Sequence, residues 1–209
     1  MIIVFTYNRL EMLRETVKPL KGEKYTIIDD GSDHEEMLPN TIKIEHQGRA
    51  GFIDVFNFAF EICKNTDDDF FMFMPDDYTE MNIPMVRELF EQFKGQPFIY
   101  NMVKDQRESC FMPTKNFMVD DFTENVGFTD CGFFTNRATM ELLKWKLNPT
   151  SLKRFMNPAR SSGVGEQLTI RLNQMNVPMY RPGKSLAFHG EHESVMHPVE
   201  RKKNKLTSL

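Results

Sequence analysis

Residues 67 to 77 run Asp67-Asp68-Asp69, Phe70-Phe71-Met72-Phe73-Met74, then Pro75-Asp76-Asp77, an apolar pentad with acidic residues on both sides. Consecutive large apolar side chains bounded by turn formers read as a strand buried on both faces, which requires a sheet covered by helices on both sides. Pro75 has no N–H to give a central ladder, so the strand is expected to stop before it. Asp76 and Asp77 then stand at the strand's C-terminal edge. In open α/β sheets that edge is where ligands bind, and a carboxylate pair there suits a hard divalent cation carrying substrate phosphates. The same two residues would also serve as a plain turn cap.

The chain before this segment alternates strand and helix signals. Residues 2–6 read as a first buried strand, and 9–18 as a helix with Leu10, Leu13 and Val17 on one face, stopping at Pro19. A second strand at 25–28 ends in Asp29-Asp30-Gly31-Ser32-Asp33, a cluster of turn and cap formers. A third is expected at 42–45, then a loop at 46–51 and a helix at 52–64. Alternation of this kind implies right-handed βαβ units and a parallel sheet with helices on both faces. Further on, 84–93, 137–146 and 166–173 read as helices, and 98–103, 127–135 and 184–189 as extended segments.

With 209 residues, 40% of them hydrophobic, the chain can fill one sizeable core. It shows no repeat and no long internal linker, so a single domain spanning 1–209 is expected. The N-terminus lacks a basic leader, and no apolar run reaches the roughly 18 residues of a membrane span, which together predict a soluble cytoplasmic protein. Cys63, Cys110 and Cys131 are odd in number, far apart and in no C-x-x-C, which indicates neither a disulfide framework nor a zinc knuckle. The net charge of −4 conceals an asymmetry: residues 137–209 carry 13 Lys+Arg against 5 Asp+Glu, and residues 1–136 the other 13 against 25. A basic C-terminal third suggests an anionic partner or an internal match to the acidic part.

Thr6-Tyr7-Asn8-Arg9 after the first strand, Asp29-Asp30-Gly31-Ser32 after the second and Pro75-Asp76-Asp77 after the fourth together resemble the GT-A class of nucleotide-sugar glycosyltransferases, closest in pattern to family 2. The resemblance covers residues 1–80 well and the rest loosely. It implies a single Rossmann-like α/β domain with a mostly parallel central sheet flanked by helices. Residues 1–100 would form the donor half, 101–200 the acceptor half with a C-terminal lid, and 201–209 a basic tail.

By the same resemblance Thr6, Tyr7, Asn8, Arg9, Asp29, Asp30, Arg49 and Asp76 are expected at the nucleotide sugar, a UDP-sugar in the first instance. Asp77, joined by His189 from far along the chain, is expected to bind Mn²⁺ or Mg²⁺, with His192 and His197 as lesser candidates. Pro75 stands where the first carboxylate of the family's D-x-D would be. Gly165-Glu166-Gln167-Leu168 resembles the segment whose acidic residue acts as base, so Glu166 is the first candidate to take the acceptor proton and Asp130 the second. A metal is physically needed because a nucleoside diphosphate leaves poorly until its charge is neutralised.

For the acceptor, Arg137, Lys144, Lys146, Lys153, Arg154, Arg160, Arg171, Arg181 and Lys184, interleaved with Trp145, Phe155 and Tyr180, could track a phosphate backbone and stack bases. In its compactness, its many Met and Phe and its expected lack of a membrane anchor, the chain also resembles small bacteriophage transferases that glycosylate hydroxymethylated bases in double-stranded DNA. A bacterial surface glycan or lipid-linked sugar is the rival acceptor. A nucleotidyltransferase or a nucleotide-sugar binding module without turnover is the rival class.

Overall fold

The apolar residues of the first strand and the apolar pentad of the fourth are all buried because alternate side chains enter two different cores. A computed structural model describes residues 1–47, 51–104, 117–148 and 163–189, His189 through its backbone. In β1 (Ile2–Thr6), Ile3 and Phe5 join one apolar layer while Ile2 and Val4 join the other. In β4 (Phe70–Pro75), Phe71 and Phe73 face the first layer, and Phe70, Met72 and Met74 the second. Helices α2 (Phe52–Lys64) and α5 (Val164–Gln174) pack the first face; α1 (Leu10–Val17) and α3 (Ile83–Phe93) pack the second.

The central sheet also contains β2 (Tyr25–Asp29), β3 (Thr41–Lys43), β6 (Ile99–Asn101), β7 (Phe117–Met118), β8 (Thr123–Val126), β9 (Phe133–Asn136) and β10 (Met179–Pro182), in the order β3-β2-β1-β4-β9-β6-β10-β8-β7. β3, β2, β1 and β4 are parallel; β9 inserts antiparallel between β4 and β6, and β8 lies antiparallel to both its neighbours. All other strands run one way, so the sheet is mostly parallel, as expected. A second, two-stranded sheet pairs β5 (Tyr78–Thr79) with β11 (Phe188–His189). A short helix, α4 (Arg137–Leu142), follows β9.

Several boundaries differ from expectation. Pro75 belongs to β4 and pairs in register with Phe5. It is tolerated because β9 flanks β4 only from Phe70 to Phe73, so one side of the strand is already without a ladder at Pro75. The expected strand at 127–135 is irregular from 127 to 132 and only then enters β9. There the Thr129 N–H donates to Thr169 Oγ1 (3.0 Å) and its hydroxyl to Asn101 Oδ1 (2.7 Å), so side chains replace the ladder. The helix expected to reach Lys146 ends at Leu142, because Lys144 and Trp145 turn left-handed (φ 54° and 52°) and Arg171 donates to the carbonyls of Leu143 and Lys146. β5, β7 and β10 are too short or too mixed in pattern to be announced by periodicity.

Of the expected base-stacking aromatics, Trp145 and Tyr180 are core residues. Trp145 packs edge-on against Phe71 at 5.4 Å beneath the Arg137 guanidinium, and Tyr180 lies against Phe93 at 4.5 Å. Arg137 donates to the Asp68 carbonyl and Arg181 pairs with Glu124, so these cations also serve the fold. Lys144, Lys146 and Lys184 are exposed. Lys153, Arg154, Phe155 and Arg160 lie outside the described residues.

Candidate active site

Because β2, β1 and β4 are adjacent and parallel, their C-terminal ends reach one edge together: Thr6 is level with Asp29, and Phe5 with Pro75. The polar residues that follow each strand therefore meet. Thr6 donates its hydroxyl to Asp76 Oδ2 at 2.7 Å, and Thr16 donates to the Asp76 carbonyl at 2.6 Å. Arg9 extends its guanidinium to both acids of the stop, donating to Asp76 Oδ1 and, at 3.3 Å, to Asp77 Oδ2. Asp76 and Asp77 are 1% and 2% exposed. Burial pushes the Asp76 carboxyl up to about 6, with Asp77 adding to the rise and Arg9 and Thr6 opposing it.

The Asp29-Asp30-Gly31-Ser32 turn divides its two carboxylates between structure and cleft. Asp29 accepts from the Ser32 N–H at 2.8 Å and so closes the turn. Ser32 Oγ accepts from the Asn8 N–H at 2.8 Å, and the Asn8 side chain bonds reciprocally to Asp33. Asn8 and Asp29 thus stitch the loops together. Asp30 points into the cleft, where its Oδ1 accepts from the Gln47 N–H (2.8 Å) and its Oδ2 lies 3.1 Å from His46 Nδ1. Burial raises the Asp30 carboxyl above its ordinary value, partly offset by the Gln47 and His46 contacts. Gly31 is required: its φ is +75°, and a Cβ there would stand 2.7 Å from the His46 nitrogen.

Above Asp30, the Tyr7 and His46 rings stack at 4.1 Å and 10° from parallel. The cleft runs from this stack past Thr6 and Arg9 to Asp76, with Phe5 and Phe52 as its apolar floor. His46 and Gln47 were not singled out from sequence. Their position just past β3, at the same edge as the two acidic turns, is the signal that would have found them.

Asp130 lies against the start of the helix that carries Glu166. A Cβ on Gly165 would come within 3.0 Å of Asp130 Oδ1, so the start of α5 sits directly on the 130 segment. Gly163, at φ 87°, turns the chain into that helix, and Glu166 falls in its first turn, the favourable end for a carboxylate. The 130 segment is joined to the acidic stop through Tyr78: Gly132 backs onto its ring, leaving 2.4 Å for any Cβ. On the other strand of the small sheet, His189 is the backbone partner of Tyr78. Residues far apart in sequence thus gather around the position that follows Asp77.

No family model matches the sequence, and no curated protein does. Solved structures are similar. Residues 1–349 of S. aureus TarS superpose with a TM-score of 0.56 at 13% identity, covering 92% of this chain and 60% of that one. GalNAc-T7, solved with UDP, GalNAc and Mn²⁺, gives 0.52 at 12% identity, covering 97% and 47%. TarS 1–349 in complex with UDP gives 0.52 at 12%, covering 86% and 59%. The chain has the GT-A glycosyltransferase fold. It spans 60% or less of the length of each of these structures.

Within this GT-A fold the acidic edge has the chemistry of a hard-cation site. Asp76 and Asp77 offer adjacent oxygen donors already facing a cation, the Arg9 guanidinium. Among the described residues no group of three or more His, Cys, Asp or Glu converges. Arg49, His192 and His197 lie outside the described residues. Asn57, in the helix after the glycine-containing loop, bonds both ways to the Leu147 backbone (3.0 and 2.7 Å) and serves the fold. No helix among the described residues is long and apolar enough to cross a membrane.

Proposed function

We propose that this chain transfers a sugar from a nucleoside-diphosphate sugar, a UDP-sugar, to an acceptor hydroxyl. The observation that carries this is the cleft between two acidic turns, Asp30 on one side and Asp76 on the other, coupled through Thr6 in a GT-A fold. The base and ribose would lie against Tyr7 and Asp30, and the diphosphate toward Arg9 and Asp76. Asp77 and Asp76 would hold Mn²⁺ or Mg²⁺, which when bound neutralises the charge that develops on the departing diphosphate. Glu166 would take the proton of the attacking hydroxyl, with Asp130 as the second candidate.

An anionic acceptor is supported by the charge of residues 137–209 and by exposed Lys144, Lys146 and Lys184. The acceptor would be a hydroxymethylated base in phage DNA, whose phosphate backbone the basic surface would track, or a bacterial surface glycan or lipid-linked sugar, for which the same surface would meet an anionic membrane. The burial of Trp145 and Tyr180 removes base stacking by those two residues from the DNA version.

Incubation with Mn²⁺ and a panel of nucleotide sugars should release UDP slowly from one of them, and faster once hydroxymethylated DNA or a phosphate-bearing glycan is added. Calorimetry on Asp77→Ala should show divalent-dependent UDP binding lost. No release and no UDP binding by the wild-type protein would remove the donor assignment; UDP binding with no release from any donor, with or without acceptor, would leave a binding module.

A further inference from the structure

Two neighbouring carboxylates, each almost wholly buried, are costly to keep side by side unless a cation compensates them. The compensation here comes from α1's N-cap residue. Arg9 spans the pair, one guanidinium nitrogen on Asp76 Oδ1 and the other on Asp77 Oδ2, and is itself only 16% exposed at its side chain. The Thr6 hydroxyl and the Thr16 bond to the Asp76 carbonyl fix the carboxylate facing the guanidinium. The arrangement is held from three elements, β1, α1 and the end of β4, so it is built into the fold.

We infer that Arg9 is an internal competitor for the cation site: its guanidinium occupies the Asp76–Asp77 pair in the unliganded protein and must leave before a divalent cation is held there. A dication approaching the occupied pair meets like charge and carboxylate oxygens already engaged. Arg9 also borders the cleft assigned to the donor, so a diphosphate gives the displaced guanidinium a bidentate anionic partner. This last step rests on the donor reading above. Metal and nucleotide then bind cooperatively, because each removes what opposes the other, and the metal alone binds poorly.

Mn²⁺ titration without nucleotide, followed by electron paramagnetic resonance of the free ion, tests this on wild type, Arg9→Gln and Arg9→Lys, each checked for folding by circular dichroism. Arg9→Gln should bind Mn²⁺ about tenfold more tightly than wild type, with Arg9→Lys between them. A folded Arg9→Gln protein that binds Mn²⁺ no better than wild type overturns the inference; if that variant does not fold, the same comparison on Arg9→Lys decides it. A parallel calorimetric titration of UDP at saturating Mn²⁺ should show weaker binding in Arg9→Gln. Failure of wild type to bind UDP at all would count against the donor reading while leaving the Mn²⁺ comparison to judge Arg9.

Discussion

Thr6 and Asp76, 70 positions apart in the chain, are joined by a buried 2.7 Å hydrogen bond that fastens the end of β1 to the acidic stop after β4. Thr6→Val keeps the shape and removes the donor, leaving one oxygen of a buried carboxylate short of a partner. The expected cost is about 1–3 kcal/mol of stability in urea unfolding. An unchanged midpoint would mean that Arg9 alone suffices to hold Asp76.

Asp76 should leave a signature in the pH dependence of stability. Its carboxyl stands at about 6 in the folded protein against an ordinary value of 3.8, so between these values the folded state binds more protons than the unfolded one. Its stabilising contribution is therefore complete below the lower value and is lost as pH rises through the upper, about 3 kcal/mol in all. Urea melts with EDTA at pH 4 and pH 7 should show wild type losing stability relative to Asp76→Asn across this window. A constant difference would show that Asp76 titrates alike in both states.

Gly31→Ala combines a left-handed backbone with a collision at the His46 backbone nitrogen, 2.7 Å away. The strained conformation alone costs about 1–3 kcal/mol. Because the same turn aims Asp30 at the cleft, UDP affinity measured by calorimetry should fall together with thermal stability. Loss of stability with unchanged affinity would detach Asp30 from nucleotide binding.

Glu166→Gln preserves the size of a first-turn residue of α5 while removing its basicity. Turnover with donor and acceptor should fall by about 100-fold or more, and UDP affinity should stay within twofold. Retained turnover would shift the role of base to Asp130, to be checked with Asp130→Asn.

Much of residues 1–100 was legible from local pattern. Helix Phe52–Lys64 lies where its apolar spacing puts it, and the apolar pentad 70–74 is buried on both faces with its acidic residues at the C-terminal edge. These features depend on periodicity and turn chemistry, which act over a few residues. The Asp29-to-Ser32 turn is legible for the same reason: Asp29 caps it and Gly31 supplies the left-handed backbone.

The tertiary structure alone decided which partners those residues have. Nothing local tells that Arg9 spans Asp76 and Asp77, that His46 stacks on Tyr7, or that Asp130 sits against Gly165. Nor does composition reveal that Trp145 and Tyr180 belong to the core, since an aromatic among lysines looks the same whether it faces solvent or a sheet. Sequence by itself determined the strand-and-helix alternation and an acidic edge, because backbone geometry and hydrophobic period are short-range properties. The division of that edge into turn caps, a cleft and a guanidinium-bridged carboxylate pair came from strand order, which brings side chains dozens of residues apart within hydrogen-bonding distance.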